Sequence, residues 1–314
     1  MPEVACLGDV NLDILMYMDK LPELGSESLA SRLELRPGGA AANVAVALSR
    51  LGVHVGFIGA IGADVIGRIV KEDLEVEGVD TGLLQVLKED YTGLAIIAVT
   101  GGERTMLGYR GANRRLHPEF INPKYFEKSR LLFISGYSLL EEPQKSAALK
   151  ALDIARKRGS LIAVDISEPL AIMGVRKIGE MLGRIDYAFM NKREATLLAG
   201  ENMKELTRRL AEVAVVKKGS AGAELFYSEL YAEAPAFKIE VVDTTGAGDA
   251  FDAGFIYGVL RGLEIDECLF LANAVAAWKC RGRGSRHLPT LEELKRFLKE
   301  NGLKKLALKL GQKS

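Results

Sequence analysis

A chain of 314 residues and 34.1 kDa, 48% hydrophobic and 27% charged, has the composition of a folded globular protein with a sizeable core, which excludes peptide scaffolds, fibres and disordered tails. Its 42 basic and 42 acidic residues cancel, so there is no net field to hold a nucleic-acid backbone or an anionic membrane. The longest charge-free stretches, 37–49 and 51–63, run thirteen residues each, short of the roughly 20 that cross a bilayer.

In chain order, the opening MPEVACLGDV sets an acidic residue before a strand-like run, the reverse of a basic-then-apolar leader, so export is not expected and a cytoplasmic location is. The runs VACLG (4–8), VGFIGAI (55–61), LLFISG (131–136), LIAVD (161–165), DYAFM (186–190) and AVVK (214–217) read as strands. Helical segments are expected over 41–51, 64–77, 143–158, 172–183, 191–200, 203–212, 249–261, 265–280 and 291–300. This alternation predicts a mostly parallel sheet covered by helices. Two regions, 12–36 and 91–110, break the rhythm with alternating patterns such as TGLAIIAVT (92–100) and RTMLGYRG (104–111). They predict antiparallel strands forming a small lid without a core of its own. No linker separates independent domains, so residues 1–314 are expected to fold as one α/β domain.

Cys6, Cys268 and Cys280 lie in apolar or helical surroundings without a CxxC pair, and His54, His117 and His287 lack metal-ligand spacing. Both sets read as structural, and the thiols fit a reducing compartment.

The segment richest in chemistry is DTTGAGDAFDAGF (243–255). Gly246, Ala247 and Gly248 lead directly into a helix, and a turn of such small residues lets an anionic oxygen reach unpaired backbone N–H groups at the positive end of the helix dipole. Asp249 follows in the first turn, where a carboxylate could take a proton from an attacking hydroxyl or simply cap the helix. At the other end, Gly38 and Gly39 precede an Ala-rich helix with Asn43 in its first turn. Backbone and amide there suit a polyhydroxylated ligand. Asn11 and Asp13, in GDVNLDI (8–14), sit just past the first strand, where ligands gather in parallel sheets; ordinary turn formation explains them equally well. In NKRE (191–194), Asn191 and Glu194 fit either a hydrated magnesium site or a capping box. The run GAIGADVIG (59–67) reads as a turn capped by Asp64.

DTTGAGDAF (243–251) resembles the carboxy-terminal signature of the ribokinase-like (PfkB) carbohydrate kinases, and PGGAAANVAVALSRLG (37–52) resembles their amino-terminal one. The resemblance implies a three-layer α/β/α domain with a mostly parallel sheet and a β-sheet lid, and ATP- and magnesium-dependent phosphorylation of a hydroxyl on a small sugar or polyol. It implies Asp249 as general base, residues 246–248 as anion hole, and Asp13, Gly39 and Asn43 as acceptor ligands, with Asn11 and Gly38 beside them. Asn191 and Glu194 match the family's Asn-x-x-Glu, associated with magnesium through water. Lys217, Gly219 and Gly222 of KKGSAG (217–222), with Thr244 and Asn273, match positions along the nucleotide; Lys218 or a plain hairpin accounts for the two lysines equally well, and the alternative for Asn273 is a polar residue that satisfies a neighbouring backbone group. Asp243 and Thr245, with backbone of RGRGS (281–285), match a monovalent-cation site, which allows potassium activation without requiring it. Arg104 and Arg110 of the lid are candidates to reach the acceptor or its phosphate, against the commoner reading of solvated surface arginines. Ribokinases proper carry Lys-Gly where this chain has Ala40 and Ala41, and a glutamate near Gly136, Tyr137 and Ser138, which points away from ribose itself. Rival acceptors are a cyclitol, or a nucleoside stacked on Tyr17, Tyr109 or Tyr137; a silent sugar-binding module is the rival outside catalysis. By analogy with relatives, an exposed lid edge allows a homodimer.

Overall fold

The computed structural model describes residues 1–101, 103–200, 203–227 and 230–310, so the last four residues of the expected 1–314 domain lie outside the described residues. The strands are β1 (Val4–Leu7), β2 (Asn11–Tyr17), β3 (Arg32–Gly38), β4 (Val55–Gly62), β5 (Asp80–Leu87), β6 (Gly93–Thr100), β7 (Glu103–Tyr109), β8 (Leu131–Ser135), β9 (Leu161–Asp165), β10 (Ile185–Asn191), β11 (Ala211–Lys217), β12 (Ala223–Tyr227) and β13 (Leu230–Ala234). Among the described residues they form a nine-stranded sheet, in the order β13-β12-β11-β10-β9-β8-β1-β4-β5, and a separate four-stranded sheet, β3-β2-β6-β7.

From β11 to β5 neighbouring strands of the large sheet are parallel, while β12 and β13 close one edge antiparallel. Strands flanked by helices on both faces must be apolar on both, and β1 and β8 are buried throughout. Val4 and Cys6 point into one core layer and Ala5 and Leu7 into the other. The first layer packs under α1 (Ala40–Arg50), α8 (Ala247–Leu260), α9 (Ile265–Cys280) and α10 (Leu291–Glu300). The second lies under α3 (Gln144–Lys157), α5 (Gly174–Leu182), α6 (Lys192–Ala199) and α7 (Met203–Arg209). The remaining helices are α2 (Val65–Val76), α4 (Glu168–Ala171) and α11 (Lys304–Lys309).

Several boundaries differ from the sequence reading. The helix expected over 172–183 begins only at Gly174, whose φ of 79° breaks continuity with α4. The helix expected over 203–212 stops at Arg209, because Ala211 already pairs with Ile185 and starts β11 three residues before the AVVK run. Strands β5, β12 and β13 escaped the reading; all three lie at or next to a sheet edge and mix buried with half-buried or exposed positions.

The four-stranded sheet is built from the two regions expected to form a lid, but it is not wholly antiparallel. β2 pairs antiparallel with β3, and β6 with β7, whereas β2 and β6 run parallel. Asn11 and Gly93 are paired at the start of these two strands, so both leave the body side by side and both partners return. Alternation along the strands divides the sheet into two faces. The face carrying Asp13 also carries Leu15, Tyr17, Arg36 and Arg104; the opposite face carries Ile14, Leu33, Leu35, Ile96 and Leu107. On the latter, Leu33, Leu35 and Leu107 are 59%, 53% and 69% exposed.

Candidate active site

The site begins at the N-terminus of α8. Gly246 precedes it in the left-handed region (φ 75°), and a Cβ there would lie 2.7 Å from Ser285 Cβ. Only glycine fits that conformation and that approach. No side chain caps the helix, and Ala247 N–H turns back to Thr244 O at 3.1 Å, so the first turn keeps uncapped backbone donors of the kind that bind anions. Behind Gly248, whose missing Cβ would sit 3.6 Å from it, is Lys217 Nζ.

Asp249, in that first turn, receives a hydrogen bond from Asn43 Nδ2 at 2.6 Å. Two segments 206 residues apart thus meet, one from each signature. Close packing around Asp249 disfavours its charge and raises its pKa to about 6, with the Asn43 donor opposing and the Asp165 charge reinforcing the shift. Asn43 is 6% exposed and its Oδ1 is buried without a partner, leaving one acceptor for a ligand hydroxyl.

Asp13 lies within β2 opposite Arg36, not in a turn, which removes the turn-former explanation. Desolvation raises its pKa to about 6, against the lowering effect of Arg286. Its carboxylate packs so tightly on Gly38 that a Cβ there would lie 2.5 Å from Oδ2. Gly39, at φ 99°, would place a Cβ 2.3 Å from Asp9 O, so both glycines are demanded by close approach. Asn11 Oδ1 accepts from Asn113 Nδ2 at 2.8 Å, and Asn113 also brackets the Val10 N–H and C=O.

Neither lid arginine lies where a free acceptor ligand was expected. Arg110 grips Asp9 through Nε and Nη2 at 2.9 and 3.0 Å and also donates to Glu141 and to Gln144 Oε1. With Gln144 Nε2 donating to Asp9 at 2.8 Å, this network fastens the end of the lid to the body. Arg104 instead donates to Asp243 Oδ1 at 2.7 Å and to the Thr245 hydroxyl. Burial alone would raise the Asp243 carboxyl, but Arg104 and the Thr245 and Gly284 N–H groups hold it well below the usual carboxylate range.

At the other end a cavity of about 830 Å³ is lined by Lys217, Gly219, Gly222, Thr244, Gly248 and Asn273, among others. Asn273 spends its amide N–H groups on Ala234 O and Pro235 O, so it shapes this wall through the backbone. Lys217 bridges Asp165 at 2.8 Å and Asp252 at 3.0 Å. Burial would depress this ammonium, but the two carboxylates more than reverse that and hold it above its ordinary value. Asn191 and Glu194 form a capping box, with Glu194 N–H donating to Asn191 Oδ1 at 2.9 Å and Asn191 N–H to Glu194 Oε2 at 2.7 Å. Among the described residues no group of three or more His, Cys, Asp or Glu is arranged to hold a metal. Sequence reasoning missed Asp9, Asn113, Gln144, Asp165 and Asp252, which carry no motif of their own; a polar residue inside an apolar run, as Asp252 is in α8, was the one available signal.

The pfkB family carbohydrate kinase model matches residues 1–292, a span that holds the helix mouth at Gly246, Asp249 and all the residues lining the cavity. The chain belongs to that family. It is 32% identical over 302 residues to an ATP-dependent ribose-1-phosphate kinase of Halopiger xanaduensis, covering 96% of this chain and 99% of that one. It is 30% identical to a 5-dehydro-2-deoxygluconokinase of Shouchella clausii, covering 84% and 86%. Ribokinase of Arabidopsis thaliana, solved with ribose and ATP, has the same fold, with a TM-score of 0.82 and 23% identity over 95% of this chain and 99% of that one. As a pfkB kinase, the protein is a phosphotransferase, and no helix among its described residues is long and apolar enough to cross a membrane.

Proposed function

We propose that the protein transfers the terminal phosphoryl group of ATP to a hydroxyl of a small sugar or polyol in the cytoplasm. The observation that carries this reading is the 2.6 Å bond from Asn43 to Asp249, which sets a carboxylate from the phosphate-binding helix against an amide from the acceptor side. Asp13 and the unpartnered Oδ1 of Asn43 accept hydrogen bonds from the acceptor and orient it. Asp249 takes the proton of the reacting hydroxyl. The hydroxyl oxygen bonds to the terminal phosphorus as the bond to the bridging oxygen breaks and ADP leaves, while first-turn amides of α8 stabilise the charge on the transferring group. The adenosine lies in the cavity beyond Gly219, Gly222 and Asn273.

Asn191 and Glu194 spend Oδ1 and Oε2 on their capping box, so in this reading they would hold magnesium through water and not as direct ligands. Burial first, with the charge of Asp165, pushes the Glu194 carboxyl up against the bond from Asn191 N–H, and a hydrated divalent ion beside it would offset that cost of its charge. Glu194 and Asn191 would hold the hydrated ion, which would supply neutralisation of charge on the nucleotide's phosphates.

ATP as donor is supported by the Halopiger relative's name and by the Arabidopsis complex, and the differing acceptors of the relatives leave the sugar open. The test is ADP release with ATP and magnesium across sugars, sugar phosphates, polyols, cyclitols and nucleosides; a phosphorylated sugar or polyol is expected. Nucleosides are included because Tyr109 and Tyr137 are 45% and 43% exposed; Tyr17 already stacks under Arg32 at 5.0 Å. No turnover with any acceptor would leave a sugar-binding module. The same reading assigns the apolar outward lid face to a second copy, since Leu33, Leu35 and Leu107 form a patch unusual for a free surface. Light scattering should give a dimer that Leu107→Glu converts to a monomer.

A further inference from the structure

Lys279, in the last turn of α9, is 0% exposed. A buried ammonium is costly unless something in the structure requires it. Among the described residues its bonded partners are two main-chain carbonyls, Asp243 O at 2.5 Å and Gly282 O at 3.5 Å. Those carbonyls belong to two loops. One, 243–246, runs into the phosphate-binding turn, and the other follows α9. They are also joined by the Val242 and Asp243 N–H groups donating to Cys280 O at 2.8 and 3.2 Å and by Gly284 N–H donating to Asp243 Oδ2 at 2.8 Å. Carbonyl oxygens that converge in a buried place repel one another, and a cation between them removes the repulsion.

These are the elements from which a site for a monovalent cation was expected: Asp243, Thr245 and the backbone of 281–285. They do not fit a free ion. The Asp243 carbonyl is taken by the Lys279 ammonium. Its carboxylate is taken by Arg104, by the Thr245 N–H and hydroxyl, and by Gly284 N–H.

We propose that Lys279 is a tethered substitute for that cation, a positioning residue that braces loop 243–248 against the chain after α9 and makes the protein independent of potassium. Burial draws the ammonium below the ordinary lysine value and the Asp243 carboxylate pulls it back, so the carboxylate helps keep the charge in place without bonding to it.

The inference rests on the proposed kinase reading for its catalytic meaning, and its test has a readout that does not. The melting temperature of the unmodified protein should be the same in potassium, sodium and choline chloride at equal ionic strength. Lys279→Met should melt lower in choline and recover by several degrees as potassium is added, as a protein with one ion-binding site does. Turnover should follow: within about twofold across the three salts for the unmodified protein, and potassium-dependent for the variant. Potassium-specific stabilisation or activation of the unmodified protein would overturn the proposal even if Lys279→Met fails to fold. A folded Lys279→Met that melts and turns over alike in all three salts would overturn it too. Turnover in none of the salts would defeat the kinase reading and leave the melting curves to decide this one.

Discussion

The two ends of the cleft are built in opposite ways. The end proposed to hold the phosphates is main chain: Gly246 at positive φ, an uncapped helix mouth and an adjacent aspartate, all within four consecutive residues. The end proposed to hold the acceptor is side chain, assembled from Asp13 in the four-stranded sheet, Asn43 in α1 and their glycine supports, with the Asp9–Arg110–Gln144 network fastening that sheet behind them. A backbone site tolerates little change, because its donors depend on one local conformation. A side-chain site can be retuned one residue at a time, which fits relatives that keep the phosphate chemistry and differ in acceptor.

The largest effect that tests this division is at Asp249, where the two ends touch. Asp249→Ala should lower kcat by roughly 10²–10⁴ with little change in acceptor KM, the range for loss of a general base. A near-normal kcat in steady-state assays would remove Asp249 from the reaction. Asp13→Ala should behave oppositely, raising acceptor KM by roughly 10–100-fold, the scale of a lost hydrogen bond to a charged group. An effect confined to ATP would place Asp13 at the wrong end.

Acid should act on both ends at once. Asp249 and Asp13 are each raised to about 6 by desolvation, so kcat/KM should be flat above pH 7 and fall as pH drops through 6, by more than about tenfold per unit once both protonate. The stability contribution has the other sign. A carboxyl with a raised folded-state pKa favours the fold most below its unfolded value of about 4, and that contribution is lost as pH rises through 6. Activity should therefore decline between pH 7 and 5 without a matching loss of melting temperature from these two groups; parallel declines would show denaturation.

How much of this could be read beforehand follows the same division. The phosphate turn was legible because its donors are consecutive in the chain, and the parallel body because strands such as β1 must be apolar on both faces. Asn43 and Asp249 each carried a local signal, but that they bond to each other is set by the packing of α1 on α8. Asp9, Gln144 and Asp165 had none, and although Lys217 and Asp252 each carried one, the bridge that joins them through Asp165 did not, since ion pairs between distant segments leave no periodicity. The lid was legible as strands but not as pairings: β2 and β6 lie parallel because both leave the body together, which is a property of the assembled sheet.

Arg104 gives the smallest effect and the sharpest test of where the two ends meet. Its side chain is 42% exposed, and it bonds Asp243 and Thr245 of the phosphate end although it comes from the lid. An ion pair so accessible to water contributes at most about 1 kcal/mol, so if its role is only to dock the lid, Arg104→Ala should change kcat/KM by less than about fivefold, with the loss shrinking as salt is added. If instead Arg104 leaves Asp243 when substrate binds and grips an anionic group on the acceptor, the loss should reach roughly 10–100-fold and fall on acceptor KM, as for a charge-assisted bidentate contact. Measuring kcat/KM for a neutral sugar and for its monophosphate with this variant separates the two: equal small losses keep Arg104 as a latch, and a large loss confined to the phosphorylated acceptor makes it part of the acceptor end.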